Sequence, residues 1–178
     1  NALKLDVPKT IKNSCRSTNG FGFPEKNVVT YEFPGTAYTA DTLTWIWSDG
    51  PGAPEKHEEL ELPGNDELPD QGAMFIGEKG NMLLPHWDHP KLIVNGTYEP
   101  IEFPEIEKRD HYHQFVDACM GKGECSAPFS YASRLTESIL LGVVANRFPN
   151  KTLHWDRTSA RFVEDGPNSL LDFEYRIF

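Results

Sequence analysis

No run of apolar residues in this 178-residue chain approaches the roughly 20 that a membrane-crossing helix needs, and no basic-then-apolar leader opens it. These absences lead to the expectation of a soluble protein, cytoplasmic or periplasmic, with no membrane partner. Basic charge is scarce as well. The 17 Lys and Arg face 27 Asp and Glu, and the formal net charge of −10 argues against the clustered positive footprint of a nucleic-acid binder. Cysteine is sparse: Cys15, Cys119 and Cys125 form no CxxC and cannot all pair. They are read as reduced thiols, with Cys119 on the buried side of a helix. An initiator Met is missing before NALKLDVPKT, which gives the expectation of a fragment or a processed form.

The signatures of catalysis and cofactor binding are missing too. GFGFPE (20–25) lacks the third glycine of a dinucleotide fingerprint, and Pro24 stands where the helix should start. DGPGAP (49–54) fails in the same way, so both read as turns. No GxSxG occurs, and no cysteine has surroundings that would lower its pKa. His86, Asp88 and His89 share one loop, but no fourth ligand is signalled. His111 and His113, two apart on a helix, point about 200° apart and cannot chelate one ion. The carboxylates of HEELELPGNDELPD (57–70) form a wet acidic run in which no acid–base pair stands out. No catalytic, cofactor-binding or metal residue is therefore assigned.

What the sequence does contain is strand signal followed by helix signal. NVVTYEFPG (27–35) and DTLTWIWSDG (41–50) are rich in β-branched and aromatic residues and end in turn residues. GAMFIGEKGNMLL reads as a hairpin turning at Glu78-Lys79-Gly80, where Gly80 can take a positive φ. KLIVNGTYEPIEF (91–103) gives another pair about Asn95-Gly96, and TLHWDRTSARFV (152–163) a late pair. In DHYHQFVDACMGKG (110–123), Tyr112, Phe115, Val116, Cys119 and Met120 form one apolar stripe. In SYASRLTESILLGVVANRFPN (130–150), Leu135, Ile139, Val143, Leu140, Val144 and Phe148 form a second, with Ser130 as N-cap and Pro149 ending the run. Gly142 there costs about 1 kcal/mol relative to Ala, which a close approach to another backbone would explain. NSLLDFEYR (168–176) reads as a short helix or a strand. The stretch 48–71 is too long and too rich in Pro, Gly and acid for an ordinary connection, and reads as a mobile loop or an arm held by a partner. Strands then helices, without regular βαβ alternation, predict one α+β domain over residues 1–178 with an open, mostly antiparallel β-sheet and helices packed on one face.

His111 and His113 sit at opposite margins of the first stripe, roughly 100° from its centre. Such margins face a cleft, or else satisfy a histidine at the core edge. Trp45, Trp47, Trp87 and Trp155 suit core packing, an interface, or stacking on sugars.

GAMFIGEKGNMLL, DHYHQFVDACMGKGECSAPFSYASRLTESILLGVVANRF and KTLHWDRTSARFVEDGPNSLLDFEYR, in this order, resemble the C-terminal domain of the glucose–fructose oxidoreductase/inositol dehydrogenase family (Gfo/Idh/MocA), in its branch abundant in Planctomycetes and Bacteroidetes. TYEFPG and LTWIWSDG fit the same pattern, so the resemblance covers nearly the whole chain. It implies a bacterial C-terminal substrate and oligomerisation domain whose N-terminal Rossmann half, holding NAD or NADP, is absent from this chain. It also implies a parent that oxidises a sugar or polyol by hydride transfer, and a fragment inactive alone. The family's Glu-Lys-Pro lysine and Asp-x-x-x-His pair are not present: Glu25-Lys26 and Glu78-Lys79 are followed by Asn and Gly. The resemblance places His111 at the substrate cleft, with Trp87 and His86 at its rim, and implies a homo-oligomer formed through the open sheet face. The competing expectation is a stand-alone β-rich carbohydrate-binding or protein-interaction module.

Overall fold

The computed structural model of the chain describes residues 2–172. These residues divide into two compact units, one drawn from the residues up to Ala53 and from Asp110 onward, the other from Pro54–Arg109. Both are built on antiparallel sheets, and the fold is α+β with open sheets. Among the described residues no helix is long and apolar enough to cross a membrane.

The first unit holds β1 (Thr10–Ser14), β2 (Asn27–Pro34), β3 (Thr42–Asp49), β8 (Thr152–Asp156) and β9 (Arg161–Phe162) in the order β3-β2-β1-β8-β9. Successive side chains on a strand face opposite ways. Val29, Tyr31 and Phe33 therefore share one face of β2, and the register sets Trp47, Trp45 and Leu43 beside them on β3. Ile11 pairs with Leu153 across β1 and β8, and Trp155 meets Phe162 edge-on at 4.9 Å. This face is the core, except that Trp47 stands exposed at its margin.

Helix α2 (Phe129–Ala145) lies on that face; it starts two residues earlier than a Ser130 cap predicts and ends at Ala145, short of Pro149. Pro128, not Ser130, is its N-cap, and no side chain caps it. Most of the stripe chosen from the sequence is turned outward: Leu135, Ile139, Leu140 and Val143 are exposed, Val144 and Phe148 pack against the core half-buried, and Ser138, Leu141, Gly142 and Ala145 are the buried residues. The reason lies in the sheet. Its face is already filled by large rings, with Tyr31 stacked on Trp45 at 5.1 Å, so the helix presents its small side. A Cβ on Gly142 would overlap the Tyr31 hydroxyl and stand 3.0 Å from Tyr31 Cζ. The close approach expected at Gly142 is real, but to a side chain.

The opposite face of this sheet is polar, carrying Thr10, Lys12, Thr30, Glu32, Thr42, Thr44 and His154. Val28, Pro34 and Ile46 are its apolar members. A buried asparagine cluster ties α2 to the strand ends. Asn27 Oδ1 accepts from Asn146 Nδ2 at 3.0 Å and Asn13 Nδ2 at 3.3 Å, while Asn27 Nδ2 donates to Pro24 O and Asp49 Oδ1.

Helix α1 (His111–Cys119) is capped by Asp110, whose carboxylate accepts from the His113 backbone N–H at 2.8 Å. No residue of α1 is buried; Tyr112, Phe115, Val116 and Met120 all stand exposed. Cys119, expected on a buried side, is exposed as well, and all three cysteines are free thiols. Phe115 meets Phe129 edge-on at 6.3 Å. Of the element expected at 168–176, residues 173–176 lie outside the described residues, and what precedes them is a short helix α3 (Asp165–Asn168).

The second unit is a meander of β4 (Gly72–Phe75), β5 (Asn81–Pro85), β6 (Lys91–Val94) and β7 (Thr97–Glu99). Both hairpins turn where the sequence places them. Asn95 and Gly96 have φ of 51° and 67°, and Gly80 a φ of 154°. Over residues 54–71 the acidic stretch is a loop, but an anchored one: a 3-10 turn at Glu58–Leu60 buries Leu60 completely against Leu83 and Ile93, with Leu62, Leu68 and Met74 around them. Asn81 Nδ2 holds that turn by donating to Glu59 O at 2.7 Å.

Candidate functional site

His86 and Trp87 lie in the second unit, in the turn that joins β5 to β6. Pro85 and Pro90 bracket this turn and stiffen it. The two rings meet at right angles, centroids 4.4 Å apart and planes at 88°. Trp87 is 89% exposed, which leaves most of its indole surface open. Asp88 Oδ1 accepts from the His89 backbone N–H at 2.7 Å and so fixes the turn. Beyond it, the His89 ring stacks on Phe103 at 4.7 Å.

The register of β4 on β5 pairs Gly72 with Pro85, and the His86 N–H donates to Gln71 O at 3.0 Å. That pairing carries residues 69–71 alongside residues 85–88. Between them lies an open-sided cleft of about 310 Å³, lined by Pro69, Asp70, Gln71, Pro85, His86, Trp87 and Asp88. Asp70 and Gln71 were not singled out from the sequence, where they close an acidic run. Counting the register back from the Glu78–Gly80 turn is the signal that reaches them.

His111 lies in the first unit, at the first position of α1. Its ring is exposed and tilted against Tyr112 at 5.6 Å. The Asp110 carboxyl is pulled below its ordinary value, chiefly by the His113 backbone N–H and further by the charges of His113 and His111. The helix N-terminus thus already has its anion. His86 and Trp87 are brought together, whereas His111 belongs to the other unit. His113, on the far margin of the α1 stripe, is 84% exposed along its side chain.

A histidine–carboxylate pair that sequence reasoning missed stands on the polar face of the larger sheet. His154 Nδ1 and Glu164 Oε1 are 2.7 Å apart, and Glu164 Oε2 accepts from the His154 backbone N–H at 3.0 Å. Burial pushes the Glu164 carboxyl up, and the bonds to His154 outweigh it, leaving it below its ordinary value. No sequence spacing joins residues 154 and 164; the β8–β9 hairpin does.

The Gly-rich turn at 20–25 runs into β2, and Gly50–Gly52 forms a 3-10 turn. Neither opens an α-helix onto a phosphate. Among the described residues, no three His, Cys, Asp or Glu converge as metal ligands. Comparison with protein-family models gives no match, and comparison with curated proteins gives none either.

Proposed function

We propose that the chain is the substrate-binding and self-association half of an NAD(P)-dependent oxidoreductase that acts on a sugar or polyol by hydride transfer. In this reading a preceding Rossmann domain binds the nicotinamide cofactor and supplies the base. The observation that carries it is the order of elements: the segments that resemble the family's C-terminal domain form a hairpin of one open antiparallel sheet, then α1 and α2, then a late hairpin of a second open antiparallel sheet. Each unit carries its own candidate substrate residues: His111, exposed at the start of α1, in the first, and His86 and Trp87 in the second. A second copy of the chain pairs with this one: the resemblance points to the open sheet face, and the exposed apolar residues of α1 and α2 offer a second surface.

Two observations test this reading. The sequence preceding Asn1 should contain a GxGxxG turn and, later, Glu-Lys-Pro; a signal peptide running directly into Asn1 would contradict it. In the full-length protein, His111→Ala should lower kcat/KM with the fold intact. Unchanged kinetics with every sugar that turns over would remove His111 from the site.

The second reading, a stand-alone carbohydrate-binding module, is favoured by the Trp87 cleft, because all of its lining residues come from the second unit.

A further inference from the structure

We propose that the cleft beside Trp87 is a subsite for one neutral pyranose ring, complete within the second unit. A single exposed tryptophan is unremarkable on a protein surface. Here it is combined with a cleft and with polar groups that have no other task. The volume of about 310 Å³ lies at the lower end of the about 300–1,000 Å³ typical of small-molecule sites, which suits one ring and not a polymer. The axial C–H face of a pyranose is apolar and flat, and it stacks on an indole. Its hydroxyls are donors that need acceptors around the rim.

Those acceptors are present. The Asp70 carboxylate and the Gln71 carboxamide make no hydrogen bond within the described residues, and Asp88 keeps Oδ2 free while Oδ1 holds the turn. The cleft is also built to stay open. Gly72 lets residues 69–71 run close beside β5: a Cβ there would stand 2.7 Å from Leu84 O and 3.3 Å from Pro69 Cγ. His86 meets Trp87 at right angles and leaves 89% of that residue exposed.

Two carboxylates in the lining set the charge of the ligand. An anionic sugar, such as a uronate or a sugar phosphate, would meet Asp70 and Asp88 with like charge. A neutral pyranoside meets no like charge: its hydroxyls donate to the carboxylates and to Gln71 Oε1, and accept from the Gln71 carboxamide N–H. For the class of ligand this inference rests on the sugar-or-polyol reading above, but the subsite needs neither the cofactor nor the other unit's residues.

The four tryptophans, Trp45, Trp47, Trp87 and Trp155, give four indole N–H resonances, and Trp87→Phe identifies the one that belongs to Trp87. The 178-residue chain is titrated at millimolar concentrations with the methyl glycosides of glucose, galactose and mannose, and with glucuronate. The Trp87 resonance should move saturably with at least one methyl glycoside while that of the core residue Trp155 stays. Trp87→Ala should weaken binding about tenfold or more, Trp87→Phe should weaken it less, and glucuronate should bind more weakly than the glycoside. A stationary Trp87 resonance with all three glycosides, unchanged affinity in Trp87→Ala, or equal binding of glucuronate would overturn the subsite. Absence of a Rossmann sequence before Asn1 would overturn the oxidoreductase reading and leave the titration untouched, so the two failures are separate.

Discussion

Gly142 shows how one residue settles the packing of an element. An alanine there gains about 1 kcal/mol of helix propensity, but its Cβ overlaps a phenol that cannot step aside. Tyr31 is 3% exposed and pinned against Trp45, so the clash should win. Gly142→Ala is predicted to destabilise the chain by about 1–2 kcal/mol, and Tyr31→Phe in the same protein to restore part of the loss. Denaturant titration of the two single variants and the double variant checks this; a stabilised Gly142→Ala protein contradicts it. Tyr31 also sets a pH dependence. Burial pushes its phenol from the ordinary 10 up to about 12. The unfolded chain then ionises first, so this stability is whole below about pH 10 and is lost as the pH rises through about 12. Tyr98 moves the same way, also to about 12, through burial and its bond to Asp66. Tyr31→Phe should therefore flatten part, not all, of the alkaline decline. A profile level from pH 10 to pH 12 in the parent chain would exclude the effect.

At the scale of the element, α2 has the outcome of largest consequence, because Leu140 and Leu141 exchange roles. Leu141, 3% exposed, should cost about 2–5 kcal/mol when cut to Ala. Leu140, 54% exposed, should cost within about 0.5 kcal/mol of nothing. Equal costs would mean that the helix is rotated from the placement described. The sequence made the helix legible but not its buried face, because that face is chosen by Tyr31 and Trp45, about a hundred residues earlier in the chain. Hairpins were legible for the opposite reason: Asn95-Gly96 and Gly80 act locally, through φ. β1 was hidden because only Ile11 and Asn13 point inward from it, too short an alternation to read. In the acidic stretch, carboxylates concealed Leu60, Leu62 and Leu68, which anchor the second unit. Trp87 and His86 stood out by composition, whereas Asp70 and Gln71 reach the cleft only through strand register.

For the whole molecule, exposed apolar surface gathers on α1 and on the outer side of α2, from Tyr112 and Phe115 to Ile139 and Val143. Surfaces of this kind are commonly covered by another polypeptide. Under the proposed function, the 178-residue chain should self-associate at micromolar concentration, and a strictly monomeric mass by light scattering would remove the self-association part of the account. The net charge of −10 keeps that association selective by opposing nonspecific contact. The central claim, that these residues form the half of an oxidoreductase which holds substrate and not cofactor, is tested most directly by calorimetric titration with NADH. The 178-residue chain should give no saturable heat, while the same chain carrying its preceding sequence should bind NADH saturably. Saturable NADH binding by the 178-residue chain alone, or none by the extended protein with either NADH or NADPH, would contradict it.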